Sequence, residues 1–294
     1  MTSTCHSESV TVLGRPLEFY RWLPEEEPRA AFFFLHGQGD FAQRYEEIAQ
    51  VFLRHGVAFL SCDLPGHGNS TGRRGHVPSL ELISQLTRLG LSEAREMSPG
   101  PVGFGGHSVG GLLSLAMLLE VEPAPDFSWI SSPILRPDAN QPAWKTTCLR
   151  PLSHVLPKAT VSTRVTAEMC RIPLEGETPT APLLFHNRIS LSWGRTLIDL
   201  GRQVRSQPDK LPMATNLLLT QGGKDLICPP QYCDDYAEAI GLPDFRYEYF
   251  PGARHEPFAD STKEDFLETL SDWLSQYLST AADSPATETS HPAE

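Results

Sequence analysis

The sequence has no excess of positive charge. Its 24 lysines and arginines face 36 acidic residues, a formal net charge of −12 over 294 residues. Phosphate backbones are held by basic faces, so nucleic acid is not expected as a partner, and charge-driven docking on anionic membranes is not expected either. No apolar run reaches the length of a bilayer span, which argues against stable membrane insertion. The first ten residues, MTSTCHSESV, lack the basic and apolar segments of a signal peptide, and a cytoplasmic location is the default expectation. Closely spaced cysteine pairs are also missing. Cys5, Cys62, Cys148, Cys170, Cys228 and Cys233 are scattered, and the nearest two, Cys228 and Cys233, have no second pair beside them. All six read as reduced thiols rather than as a disulfide framework or a metal site. No internal repeat is evident.

What is present is a regular alternation. VTVLGRPLEFYRWL reads as two strands folded about Gly14-Arg15. AAFFFLHG and VAFLSCDLPG are short continuous apolar runs suited to strands buried on both faces. Between them, FAQRYEEIAQVFLRHG places Phe41, Tyr45, Ile48 and Phe52 on one helical face and stops at Gly56. Residues 79–97 form a second helical pattern with Leu82, Leu86 and Leu89. PVGFGG is a strand leading into a third helix with Leu112, Leu115, Ala116 and Leu119, and FSWISSP is a further strand. After a break, NLLLTQGGKD, PQYCDDYAEAIG, FRYEYFPGARH and KEDFLETLSDWLSQYL read as strand, helix, strand and helix. This order predicts an α/β fold, a mostly parallel central sheet with helices on both faces. The break, residues 134–212, is proline-rich with no clear strand and reads as an inserted cap over the carboxyl edge of the sheet. The expected organisation is a flexible terminus at 1–8, a core at 9–133 and 213–280, the cap at 134–212 and a disordered tail at 281–294.

The stretch GGHSVGG falls at a strand-to-helix junction. Gly106-His107-Ser108-Val109-Gly110 has the spacing of a nucleophile elbow, in which the serine is lifted above the sheet and glycines on either side remove clashing side chains. A plain helix cap would need neither glycine. A serine hydroxyl needs a base to take its proton. Of ten histidines, His255 alone sits between the last strand and the last helix; His67 and His76 follow an early strand and could only line the site; His107 is expected to point away from Ser108. The acid that orients the imidazole is expected at Asp225, which closes NLLLTQGGKD, although a helix cap ahead of Pro229-Pro230 is the other reading. Glu256 reads as a solvated neighbour. The oxyanion needs two donors, expected to be the amides of Val109 and Gln38, with His36, Gly37 and Gly39 shaping the loop.

Together these pieces resemble the α/β-hydrolase superfamily, in particular its branch of monoacylglycerol lipases and bacterial lysophospholipases, which is serine-aminopeptidase-S33-like. The resemblance covers roughly residues 10–280 outside the insertion. It rests on His36-Gly37-Gln38-Gly39, Asp40, Arg44-Tyr45, Asp63, Gly66-His67-Gly68, Ser70 and Gly72, on the elbow, on GGKD and on PGARHEPFAD. Asp40 departs from the branch, which usually has glutamate there, and the insertion is only faintly similar, around FHNRISLSWGRTLIDLG.

The resemblance implies a serine hydrolase that cleaves carboxylic esters through an acyl-enzyme, with no cofactor and no metal. The expected partner is a small lipid or ester, first a monoacylglycerol or lysophospholipid. Trp144, Leu149 and Leu152 of the cap are candidates to line an apolar tunnel, or merely to attach the cap to the core, and His107 is a candidate substrate contact. Three alternatives stay open: a short-chain carboxylesterase, an aminopeptidase of the proline iminopeptidase type, and a non-catalytic binding protein on the same scaffold. The aminopeptidase would need acidic cap residues, and Glu168, Glu175 and Glu177 are offset by Arg150, Arg164 and Arg171. Oligomeric state is not fixed by the sequence.

Overall fold

The computed structural model describes residues 5–139, 141–172 and 183–283. Its strands are β1 (Cys5–Val12), β2 (Arg15–Trp22), β3 (Ala30–Leu35), β4 (Val57–Cys62), β5 (Val102–His107), β6 (Phe127–Ser131), β7 (Thr160–Ser162), β8 (Arg188–Ser190), β9 (Asn216–Gly222) and β10 (Phe245–Phe250). The helices are α1 (Glu46–Arg54), α2 (Leu80–Met97), α3 (Val109–Leu118), α4 (Ala143–Val155), α5 (Ala167–Cys170), α6 (Leu191–Arg205), α7 (Gln231–Glu238) and α8 (Lys263–Asp283).

Eight strands make one sheet in the order β1-β2-β4-β3-β5-β6-β9-β10. β2 is antiparallel to both its neighbours, and every pairing from β4 to β10 is parallel. Parallel strands buried on both faces require side chains for two cores, and β3 supplies them by simple alternation. Ala31, Phe33 and Leu35 enter one core with Leu82 and Leu86 of α2, Leu112 and Leu115 of α3, and Leu197 of α6. Ala30, Phe32 and Phe34 enter the other, with Ile48 and Phe52 of α1 and Phe266, Leu270 and Trp273 of α8. Each such fully buried large side chain contributes roughly 1.5–3 kcal/mol, so the two cores hold the sheet rigid between them. α3 is buried at every position, as the central helix of such a layer must be.

The connections after β3, β5, β9 and β10 leave from the carboxyl edge of the sheet, where open α/β sheets bind their ligands. The chain between β6 and β9 contains α4, α5 and α6, with α6 packed against α3 and α4. It also contains a small antiparallel pair, Thr160↔Ser190 to Ser162↔Arg188, where no strand was expected. Three-residue strands with mixed polar side chains have no alternation long enough to be read. The terminus differs too. Residues 5–8 are not loose but pair with β2, from Cys5↔Trp22 to Glu8↔Phe19. An edge strand needs only its backbone hydrogen bonds, so its mostly exposed polar side chains carried no signal. At the other end, α8 runs to Asp283, past the expected boundary at 280, and the rest of the expected tail lies outside the described residues. No helix among the described residues is long and apolar enough to cross a membrane.

Candidate active site

Ser108 stands between β5 and α3 in a backbone conformation, φ 57° and ψ −114°, that non-glycine residues rarely adopt. Such a residue costs on the order of 1–3 kcal/mol and must be held by its surroundings. Its amide donates to the Ser131 carbonyl at 2.9 Å, and its own carbonyl accepts from Leu112 at 3.0 Å and from Ile134 at 3.1 Å. The glycines of the elbow allow the turn to close. A Cβ on Gly110 would overlap the Leu35 carbonyl oxygen, and one on Gly106 would meet the Gly110 backbone at 2.5 Å.

Asp225 and His255 leave the neighbouring strands β9 and β10 and meet at 2.7 Å, Oδ2 to Nδ1. The other carboxylate oxygen accepts from the amides of Ile227 and Cys228, both at 2.8 Å, and Gln221 Nε2 donates to Oδ2 at 3.2 Å. With Nδ1–H donating to the carboxylate, the Nε2 lone pair is the imidazole's basic site. Burial by itself would push the His255 imidazole down, but the facing Asp225 charge and hydrogen bond outweigh it and hold the imidazole above the ordinary histidine value.

Cys228 borders this pair. Its sulfur lies within 4.8 Å of ligand atoms of both Asp225 and His255. No hydrogen bond joins Ser108 to His255 among the described residues. Burial pushes the Cys228 thiol well up, so it remains protonated. Asp225, Cys228 and His255 bring a carboxylate oxygen, a sulfur and an imidazole nitrogen within 4.8 Å of one another, but both Asp225 oxygens are already engaged in hydrogen bonds.

The loop after β3 backs onto the serine. A Cβ on Gly37 would lie 3.3 Å from the Ser108 Cβ. Buried His36 anchors the loop, its Nδ1 donating to the Gly37 carbonyl at 2.8 Å and its Nε2 accepting the Leu64 amide at 2.9 Å. No described backbone group takes the amide hydrogens of Gln38 or Val109.

Set against known proteins, residues 26–262 match the family described as serine aminopeptidase, S33. The chain belongs to that family. This hydrolase is 25% identical over 283 residues to a monoacylglycerol lipase of Mycolicibacterium smegmatis, covering 95% of this chain and 100% of that one. It is 26% identical over 284 residues to an abhydrolase domain-containing protein of Dictyostelium discoideum, covering 96% of this chain but only 30% of the longer protein. A crystal structure of Paleococcus ferrophilus monoacylglycerol lipase superposes with a TM-score of 0.78 at 24% identity, over 89% of this chain and 99% of that one. The fold is thus the α/β-hydrolase fold, and the chain is an ester hydrolase of the monoacylglycerol lipase and lysophospholipase branch.

Two neighbours of His255 sit differently from what the sequence suggested. His107 does not turn away from the site: its ring packs 4.6 Å from His255 and edge-on to Phe258 at 5.0 Å. Burial, His255 and Arg44 all hold the His107 imidazole well below its ordinary value and therefore neutral. Glu256 is not solvated but buried, and it forms a two-pronged ion pair with Arg44, NH1 to Oε1 at 2.8 Å. Burial would push the Glu256 carboxyl up, but Arg44 wins and holds it below the usual range. Arg44 in turn bonds Asp40 at 3.1 Å, and Tyr45 donates to the same Asp40 oxygen at 2.8 Å. The Arg44-Tyr45 pair was visible in the sequence; its partner 212 residues away was not.

The apolar candidates also need correcting. Trp144 is 66% exposed, Leu152 is 46% exposed and Leu149 is half-buried, so these side chains do not enclose a tunnel in this structure. They lie on α4, whose apolar residues follow no single buried stripe and whose only fully buried residue is Ser153. Glu175 and Glu177 lie outside the described residues.

Proposed function

We propose that this hydrolase cleaves a monoacylglycerol or a lysophospholipid through an acyl-enzyme on Ser108. The reading is supported by the Asp225–His255 pair at 2.7 Å and by a serine held in a strained elbow at the end of β5. The Ser108 oxygen attacks the ester carbonyl while His255 Nε2 takes its proton. The amides of Gln38 and Val109 hold the oxyanion, and His255 gives the proton to the departing alcohol. Water, deprotonated by His255, then attacks the acyl-serine, releasing the fatty acid and returning the proton to Ser108. Asp225 keeps the imidazole in the working tautomer and stabilises it when charged. Residues 134–212 act as the cap that meets the acyl chain, with Trp144, Leu149 and Leu152 as an open apolar surface rather than a closed tunnel.

An ester rather than a peptide amine is favoured because a free amine needs an unspent carboxylate. Glu256, the acid beside the histidine, is neutralised by Arg44. The test is a series of esters of rising chain length carrying glycerol or lysophosphatidyl head groups. A rate that climbs with acyl length supports the lipid reading. A flat response removes it and leaves a general esterase, and turnover of aminoacyl-anilides but not esters overturns both.

A further inference from the structure

Gln38 carries more than a backbone amide. Its side chain lies across the gap between the loop after β3 and the segment 186–193, which belongs to the inserted region. Gln38 Nε2 donates to the Arg188 carbonyl at 2.8 Å, and Gln38 Oε1 accepts from the Trp193 indole at 3.0 Å. The backbone reinforces this clamp on its next residue. The His186 amide donates to the Gly39 carbonyl at 3.0 Å, and Gly39, at φ +79°, lies so close that a Cβ there would overlap the His186 carbonyl oxygen.

The other half of the clamp is equally fixed. Trp193 is 1% exposed and sits in the first turn of α6, where the Ser190 hydroxyl caps its amide at 3.3 Å. That hydroxyl also bonds His76 Nδ1 at 2.9 Å, and the Ser190 amide donates to Gly75 at 2.9 Å. Segment 186–193 is therefore stitched to two core loops at once. Gln38 is the one side chain of the HGQG loop that reaches both a strand and a helix of the insertion.

We infer that Trp193 is a positioning residue for the oxyanion donor, acting through the Gln38 side chain, and that seating of segment 186–193 and formation of the oxyanion hole are one event. The inference rests on the acyl-enzyme reading above, in which the Gln38 amide is a donor. The amide hydrogen points where the peptide plane between Gly37 and Gln38 directs it. Gly37 leaves one end of that plane free to turn; His36 Nδ1 holds its carbonyl at 2.8 Å, and the two side-chain hydrogen bonds of Gln38 fix its other end. A substrate that lifts the segment releases the donor, and one that seats it sets the donor in place.

The experiment uses the full chain with a monoacylglycerol and compares Gln38→Met, which keeps the volume and the backbone N–H but loses both side-chain bonds, with Trp193→Phe, which keeps an aromatic ring but loses the indole N–H. Both should lower kcat by about tenfold or more with KM little changed, since misplaced donors act on the transition state. The double variant should be no slower than Gln38→Met, because the two changes break one connection. Wild-type kcat in folded Gln38→Met, effects that multiply, or a change confined to KM would overturn the inference. If Gln38→Met does not fold, Trp193→Phe carries the test by the same kcat criterion. A Ser108→Ala variant run alongside separates the two levels: if it is inactive while Gln38→Met is normal, only the clamp fails; if it is active, the acyl-enzyme reading fails first.

Discussion

Arg44 and Glu256, 212 residues apart in sequence, close into a buried ion pair directly beside the histidine of the candidate site. The pair joins the turn before α1 to the loop after β10, and Arg44 also packs over the Phe258 ring at 5.9 Å. Removing one partner leaves the other charge stranded in a buried place. Arg44→Met is expected to lose about 3–5 kcal/mol of stability, whereas Arg44→Met combined with Glu256→Gln recovers part of it, because the Glu256 charge is gone and only Asp40 is left without its cation. Urea unfolding of the three proteins checks this. Equal losses in the single and double variants would show that the pair is not what holds the loop.

The raised His255 imidazole sets the pH dependence. The base must be neutral to accept the serine proton, so kcat/KM should rise with pH through a midpoint above the ordinary histidine value of about 6.5. In Asp225→Asn the carboxylate that outweighs burial is gone. The midpoint should then fall below the ordinary value, and the plateau rate should drop by roughly 10⁴-fold. Linkage gives the stability counterpart. Because folding favours imidazolium here, its contribution is complete below about pH 6.5 and disappears as pH rises through the raised value. A pH–rate profile of both proteins decides the matter, and an unshifted midpoint in Asp225→Asn would separate Asp225 from the base.

Gly39 and Gly110 are among the glycines that have no room for a side chain. Gly39→Ala would force a Cβ into the His186 carbonyl at a positive φ, and Gly110→Ala would force one into Leu35. Each is expected to cost a few kcal/mol and to lower the thermal midpoint by several degrees. Gly14→Ala is the control for positive φ alone, since a Cβ there meets nothing within 4 Å. If calorimetry shows Gly39→Ala no worse than Gly14→Ala, the loop is looser than described.

Most of the core was legible because its signals are local. The run AAFFFL is apolar at every position and became the doubly buried β3, and the stripe Phe41, Tyr45, Ile48 and Phe52 is buried as its spacing required. The Ser108 junction, and Asp225 just past the end of β9, could be marked for the same reason. What was not legible depends on distant partners. Glu256 looks like a surface acid until Arg44 arrives from another element, and Cys228 looks like an ordinary buried thiol until the fold sets its sulfur within 4.8 Å of ligand atoms of Asp225 and His255. Gln38 could be named for its backbone, but Trp193 and Arg188 reach its side chain from about 150 residues away, across a region with little pattern of its own.

The measurement that bears most directly on the account is monoacylglycerol hydrolysis by Ser108→Ala beside the wild-type protein, with both shown to be folded. The acyl-enzyme mechanism requires a fall of about 10⁴-fold or more in kcat. It also requires that a fluorophosphonate label the wild-type chain on the peptide containing Ser108 and fail to label the variant. A variant that still hydrolyses the ester at a rate near that of the wild type would contradict it.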